Sequence, residues 1–302
     1  MRSVQQILVL RRRQDAIFNV LGIVCTTVAV VTLATLLAQL CWDGLGRLDW
    51  SFLTSYPSRH AAKAGILPAL VGSLLVMLVT ALVAVPLGVA AGVYLEEYAR
   101  KNRLTAIIEV NIANLAGVPS VIYGLMALGV FVYAFGLGHS ILTAGLTLAL
   151  LILPIVIVAT REALRAIPRS IREASYALGA TKWETVRQHL LPYSVGGIAT
   201  GVIIGLSRAI GETAPLVTVG ALAYIPFLPD PPFKSQFPFL SFDWLSSDFT
   251  VLPIQMFNWV SRPDPSFHAN AAAIGIVLIL VTLTMNACAI VVRRRVRARI
   301  RW

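Results

Sequence analysis

Six stretches of this chain are mostly apolar for about twenty residues or more, and no other feature limits its folding as strongly. They cover residues 17–40, 66–94, 112–135, 140–160, 195–224 and 271–292. A helix needs about 20 such residues to cross the hydrocarbon of a bilayer. In that solvent every backbone amide must find its partner inside the protein, which helices achieve within one segment. No segment alternates apolar and polar residues over about ten positions, so a membrane β-barrel is not supported. The expectation is an all-α membrane protein with six transmembrane helices. The second and fifth runs are long enough to tilt or to protrude into water. Pro86, Pro119, Pro154 and Pro215 interrupt runs and are candidate kinks, because proline withdraws a donor from the helical ladder. Arg11, Arg12 and Arg13 precede the first run as they would in a signal peptide. The run exceeds the usual apolar region of about 7–15 residues and lacks a clear cleavage site, so it reads as a retained helix.

Composition agrees. Apolar residues make up 57% of the 302 positions and charged residues 13%. A soluble domain carries about 25% charged residues, so an ordinary globular enzyme is excluded, and so is intrinsic disorder. The net charge of +11 fits a nucleic-acid binder in sign, but not in a chain this apolar. Its distribution explains it better. Of the 25 Lys and Arg residues, 19 fall in the amino terminus, the second-to-third connection, the fourth-to-fifth connection and the carboxyl tail. These are alternate connections, and the positive-inside rule puts them, with both termini, in the cytoplasm. The basic tail, residues 293–302, sets topology and touches anionic lipid.

Residues 225–268 form the longest external connection. Pro229, Pro231, Pro232 and Pro238 forbid continuous helix there, and Phe233, Phe237, Phe239, Phe242 and Trp244 suggest a packed or interface-lying loop. Capping of a pathway or a partner contact is one reading, and aromatic anchoring at the membrane surface is the other. Cys25, Cys41 and Cys288 have no metal-ligand spacing, and His60, His139, His189 and His268 are scattered. No paired carboxylates share a run, so no catalytic set is apparent.

The connection at residues 161–192 is the most patterned segment. Ser170 precedes Glu173 by three positions, the spacing of a capping box, and Thr181 and Glu184 repeat it. Ile171, Ala174 and Leu178 give a short apolar stripe, and Gly179 stands where a left-handed residue ends a helix. The expectation is two short helices, the second through Leu191, on the cytoplasmic face. The stripe must be buried, against this chain or in the groove of a partner.

In the fifth run, Arg208 and Glu212 are the only charges well inside a span. If the run is one helix, Arg208 lies near mid-membrane. Four residues apart, the two side chains share a face and can pair. Arginine in mid-membrane costs at least about 2.5–3.5 kcal/mol, so that face must meet other helices or water. A helix-locking ion pair is one reading. The other is a substrate contact, because the guanidinium fork matches phosphate-like oxyanions. Glu212 would then hold Arg208, offset its charge and help release the anion.

Two resemblances now enter. Glu173-Ala174-Ser175, with Gly179 and Leu191-Pro192 at the right intervals, resembles the EAA loop of ABC importer permeases, departing at Ser175 and His189. That resemblance implies a coupling helix that docks in a cytoplasmic ATPase, through Glu173, Ala174, Ser175, Gly179 and Ala180. The segments 208–215 and 117–125, and Gly179-Ala180-Thr181-Lys182-Trp183, are similar to membrane subunits of the bacterial phosphate-specific (Pst) ABC importer. Gln255-Met256-Phe257-Asn258-Trp259 favours the A-type subunit. The likeness runs from about Gly65 onward. It implies a type I, MetI-like permease core in the bacterial cytoplasmic (inner) membrane. It places Arg208, Glu212 and Thr213 on a phosphate pathway, with Pro119 and Pro215 as kinks. The implied partners are a homologous C-type permease, two ATPase copies and an external phosphate-binding protein. The chain lacks the Gly-Lys pair of a Walker A loop, so ATP and Mg belong to the ATPase, and this chain is expected to bind no cofactor. The expected organisation is residues 1–64 as an N-terminal cytoplasmic tail with the first helix and external loop, 65–292 as the transmembrane domain, and 293–302 as the basic cytoplasmic tail. A permease for sulfate, molybdate or an amino acid fits the coupling loop equally well, but not the fifth-run pair. A channel or secondary transporter working alone would leave the coupling loop without purpose, and inverted repeats are not evident.

Overall fold

The computed structural model describes residues 4–231 and 241–299. Phe233, Phe237, Phe239, Pro232 and Pro238 of the external connection lie outside the described residues, as does the end of the basic tail from Ile300. The described residues are helical or irregular, with no strand among them. Five helices are long and apolar enough to cross a membrane, and a sixth crossing is possible if one bent pair counts as a span. We number the helices α1 (Val4–Gly44), α2 (Leu67–Tyr98), α3 (Arg103–Leu115), α4 (Ser120–Ala134), α5 (Ile141–Arg165), α6 (Arg169–Ala177), α7 (Lys182–Gly211), α8 (Ala214–Thr218), α9 (Leu252–Val260) and α10 (Ser266–Arg299).

The third run is the clearest departure from the sequence reading. It is two helices, α3 and α4, bent by 108°. Gly117, Val118 and Pro119 cause the break. A residue before proline avoids the helical region, and Pro119 itself is extended at φ −55°, ψ 136°. The bend leaves the last carbonyls of α3 without helical partners. Tyr123, one turn into α4, reaches back and donates its hydroxyl to Leu115 O at 2.7 Å. Pro86 and Pro154, in contrast, sit inside continuous helices and break neither.

α5 is the central helix, with α2 on one side and α7 on the other. Small residues set both contacts. A Cβ on Gly88 would stand 2.7 Å from Val156 Cγ1, and one on Gly92 would stand 2.6 Å from Thr160 Cβ. On α7, Gly197, Gly201 and Gly205 recur every fourth residue and face Ala163, Ala159 and Ile152 of α5. Association inside a bilayer rests on such close backbone approach, because lipid tails are as apolar as leucine. Thr80 adds a polar stitch, donating to Val76 O at 2.8 Å and to Gly145 O across the α2–α5 seam at 3.2 Å. Val76, Leu148, Ile152, Ile210, Leu216 and Phe249 fill the core. α1 lies apart from this trio and packs on α10, where Gly44 abuts Ala272 and Ala273.

The ends of the bundle differ. At one, which we call the basic end, α2, α3, α5 and α6 bring charged residues together. At the other, Trp259 is fully buried between Phe52 and Phe267, with ring centroids 6.1 and 6.0 Å away. Arg47 closes that end by donating to the carbonyls of Ala61, Ala62 and Ala64 and to Asn270 Oδ1. Part of the expected loop at residues 225–268 is therefore ordered helix: α9 lies within it, and α10 begins before its end. Trp244 is buried, whereas Phe242 is exposed.

A larger side chain at the α5–α7 seam is expected to force the helices apart. Gly201→Val should lower the melting temperature of the detergent-purified protein, at a cost of about 1–3 kcal/mol for overpacking. Gly196→Val, where a Cβ would meet nothing within 4 Å, should leave it nearly unchanged. Equal melting of the two variants would contradict the seam.

Candidate translocation site and coupling surface

α7 carries the charge pair, but not where a single 195–224 span would put it. The helix runs from Lys182 to Gly211 and ends there, so Arg208 lies in its last turn rather than at mid-span. Glu212 leaves the helix with extended backbone, φ −77°, ψ 124°. Thr213 then starts α8, and its carbonyl accepts from the amides of Leu216 and Val217. The sequence reading took this segment as continuous because its residues remain apolar on both sides of the break. Pro215, in the first turn of α8, costs that helix nothing, because its missing N–H would have had no partner there.

Arg208 Nε donates to Glu212 Oε1 at 3.2 Å. The pair is therefore made within this chain. The Arg208 side chain is 40% exposed and that of Glu212 is 19% exposed, while their neighbours Ala209 and Ile210 are buried in the core. Arg208 thus presents a face away from this chain's own packing, with Glu212 largely covered beside it. Such a face cannot be left to lipid and must meet water or another polypeptide. The helix C-terminus behind Arg208 favours its positive charge. Two of the motifs noted in the sequence meet here. Gly124 of α4 packs so tightly on α8 that a Cβ would overlap Thr218 Oγ1 and stand 2.7 Å from Pro215 Cα.

At the basic end, α6 ends as its sequence suggests. Gly179 adopts φ +85°, Gly179 N donates to Tyr176 O, and Ala180 N donates to Ser175 O. This is the Schellman arrangement, which satisfies two orphan carbonyls. Its start differs from the expectation. Pro168 is the cap residue, no side chain caps the helix, and Ser170 already lies inside the first turn. A cap must have extended backbone to turn its oxygen onto the third amide, and here Pro168 occupies that conformation. The Ser170–Glu173 capping box is therefore absent. The Thr181–Glu184 box is present, with Thr181 N donating to Glu184 Oε2 at 2.8 Å and Glu184 N to Thr181 Oγ1 at 3.3 Å. The helix it opens does not stop at Leu191. A wide turn at Val186–Leu190 lets Pro192 enter, and the helix continues as α7 to Gly211.

Ser175 is buried, and its hydroxyl lies 2.9 Å from Thr185 Oγ1, so α6 is tied to α7. Of the apolar stripe, only Ile171 packs on this chain, against the cluster of Val93, Leu164 and Leu190. Leu178 is 89% exposed and Trp183 57% exposed, with Ala174 and Tyr176 also open. Glu173 is exposed and borders a cleft of about 1160 Å³ between α6, the tip of α2 and the start of α3.

Acidic residues that the sequence reading passed over line that cleft. α5 extends beyond residue 160, so Arg161 belongs to the helix; its side chain is 8% exposed and pairs with Glu109 at 2.6 Å and Glu96 at 3.6 Å. Arg165 pairs with Glu96 at 2.8 Å, and Arg172 with Glu97 at 2.7 Å. From sequence position alone these arginines give only an orientation signal. Two adjacent glutamates at the end of an apolar run, on the side with excess arginine, were the available clue.

A family model described as the binding-protein-dependent transport system inner membrane component matches residues 84–302. The chain belongs to this family. It is 34% identical over 198 residues to the probable ABC transporter permease protein YqgI of Bacillus subtilis, covering 66% of this chain and 67% of that one. It is 36% identical over 221 residues to phosphate transport system permease protein PstA 1 of Mycobacterium tuberculosis, covering 70% and 72%. With the PstA of Mycobacterium leprae the identity is 34% over 244 residues, covering 78% and 74%. Among solved structures, a chain of the inward-facing MetNI methionine ABC transporter has the same fold. The TM-score is 0.56 at 18% identity, over 77% of this chain and 94% of that one. As a member of this family the chain is a multi-pass membrane protein with an ABC permease fold. The matched region contains α4, α6, α7 and α8 and every candidate site residue, whether in these helices or at their ends.

The two segments with capping-box spacing make a test of the local geometry. Thr181→Ala should destabilise the purified protein by about 1 kcal/mol, read from its thermal unfolding. Ser170→Ala should have no effect, since that hydroxyl caps nothing. Equal losses would restore the box at Ser170.

Proposed function

We propose that this chain is the permease subunit of an ATP-driven importer that carries inorganic phosphate into the cytoplasm. The observation that carries the reading is the Arg208–Glu212 pair at the break between α7 and α8, with Arg208 turned out of its own bundle. The names of the relatives support the choice of solute, since several are phosphate transport permeases. Arg208 offers a fixed positive fork to a phosphate oxygen in transit. Only its Nε is used by Glu212, so its terminal nitrogens can receive the anion. Glu212 keeps the empty site neutral and repels a departing anion, which prevents tight trapping. Thr213, at the start of α8, adds a hydroxyl beside the pair. Pro119 and Pro215 hold the two bent segments that meet at Gly124. A partner permease of the same fold would complete the pathway opposite this face.

The remaining roles follow from chemistry that the chain lacks. With no Walker A sequence, ATP and Mg are assigned to two copies of a separate ATPase. The exposed surface of α6, with Glu173, Ala174, Gly179 and Ala180, would dock there, and Ser175 would fix α6 to α7. An external phosphate-binding protein would deliver solute to the opposite end. The basic end is then cytoplasmic, with both termini, as the positive-inside rule requires.

Arg208→Ala is expected to lower phosphate uptake at least about tenfold, the loss of one charge-assisted contact, while the complex still assembles. Uptake into membrane vesicles measures this, with complex recovery checked on the same sample. Wild-type uptake by the variant, or equal competition by sulfate or molybdate, would overturn the assignment. Glu173→Lys reverses a charge on the docking surface without removing a cap. It should weaken recovery of the ATPase with the permease, and undiminished recovery would count against docking at α6.

A further inference from the structure

The tip of α2 and the helix α6 are joined by one side-chain fork. Arg172 Nε and Nη2 donate to Glu97 Oε1 at 3.1 and 2.7 Å. The same guanidinium donates through Nη1 to Ile167 O and through Nη2 to Leu164 O, both at 2.9 Å. It thus grips the carboxyl end of α5, where exposed carbonyls favour a cation. The joint is shielded, with side chains 17% and 9% exposed. Lys182 at the start of α7 adds a contact, its Nζ donating to Glu97 O at 3.2 Å. Four helices therefore converge on Glu97 and Arg172.

The last turn of α2, Tyr94–Tyr98, is a π-helix, a form that is rare and tends to occur at functional positions. Its two adjacent acids serve different helices. Glu96 pairs with Arg161 and Arg165 of α5, and Glu97 with Arg172 of α6. On its other side α6 is tied to α7 by Ser175 and Thr185. A displacement of α6 would therefore reach α7 through a hydroxyl pair and α2 through a charged, forked one. An exposed ion pair would be too weak for this, but a shielded bidentate pair has a fixed geometry.

We infer that Glu97 and Arg172 are positioning residues that transmit motion of α6 to the α2 span during transport. The inference rests on the importer reading above, and it adds the route by which one helix on the cytoplasmic face would move two spans. If the pair were only a brace, its loss would lower stability without changing how ATP use relates to transport.

The test uses the whole complex, purified and reconstituted, with Glu97→Gln, Arg172→Lys and, as a control in the same cleft, Arg165→Gln. Glutamine keeps the shape of Glu97 without its charge. Lysine keeps the charge of Arg172 but cannot fork to the carboxylate and two carbonyls together. Phosphate moved per ATP hydrolysed should fall about tenfold in Glu97→Gln and Arg172→Lys and stay near wild type in Arg165→Gln. A second readout is independent of the solute. Hydrogen exchange at residues 94–98 should change when ATP is added to wild type and stay unchanged in the first two variants, while residues 169–177 respond in all. If Glu97→Gln does not assemble, Arg172→Lys carries both measurements. Wild-type stoichiometry with an intact exchange response at residues 94–98 in these variants would overturn the inference, as would an equal loss in Arg165→Gln. A wild-type complex that moves no phosphate but shows the exchange response would overturn the solute and leave the joint standing.

Discussion

Charge cannot remain unpaired in hydrocarbon, and much of this structure depends on how that constraint is met. Charged side chains are 13% of this chain, and on a soluble protein surface they would be trivial to solvate. Here the middle of the bundle must be free of them. Glycine and alanine do the work there instead, letting α2 and α7 lie directly on α5. The charged groups gather at the basic end, where Arg161 shows the rule at its strictest. It is buried and faces two glutamates from two other helices. Removing either partner of such a pair leaves a desolvated charge, so the network also fixes how the helix ends are arranged.

The same rule gives the Arg208–Glu212 pair its meaning. Both residues could have been turned into the core and buried against each other. Instead Ala209 and Ile210 take the core face, and Arg208 points outward from a helix end with Glu212 largely covered beside it. A purely structural lock would not need that exposure. The break that follows, at Glu212 and Thr213, brings α8 against the bent third segment, so the two irregular stretches of the chain support one another across Gly124. Irregular backbone at membrane depth is tolerated only where protein or water surrounds it.

How much of this was legible depends on the range of the interaction. The long helices follow from apolar run length, and the end of α6 follows from Gly179, because both are local properties. Local rules also failed locally. Ser170–Glu173 and Thr181–Glu184 have identical spacing, yet only the second forms a box, since Pro168 takes the cap position in the first case. The run at 195–224 concealed a helix end because apolar content says nothing about backbone angle, and the run at 112–135 concealed a 108° bend. The Glu97–Arg172 contact spans 75 positions, and no pattern within either segment announces it.

That contact changes the meaning of the arginine excess. Topology rules count Lys and Arg as if each were solvated and interchangeable. Arg161 and Arg172 are largely desolvated, and they and Arg165 are not interchangeable, because each is committed to named carboxylates. Their partners are Glu96, Glu97 and Glu109, so this part of the basic end is close to neutral. The net +11 is therefore carried by other residues, and the arginines nearest the coupling surface contribute geometry rather than field. Guanidinium suits that role better than ammonium, because a fork that binds a carboxylate and a helix end together leaves little freedom in how the helices meet. A single substitution to lysine would keep the orientation signal and lose the joint, which separates the two functions of the same residues.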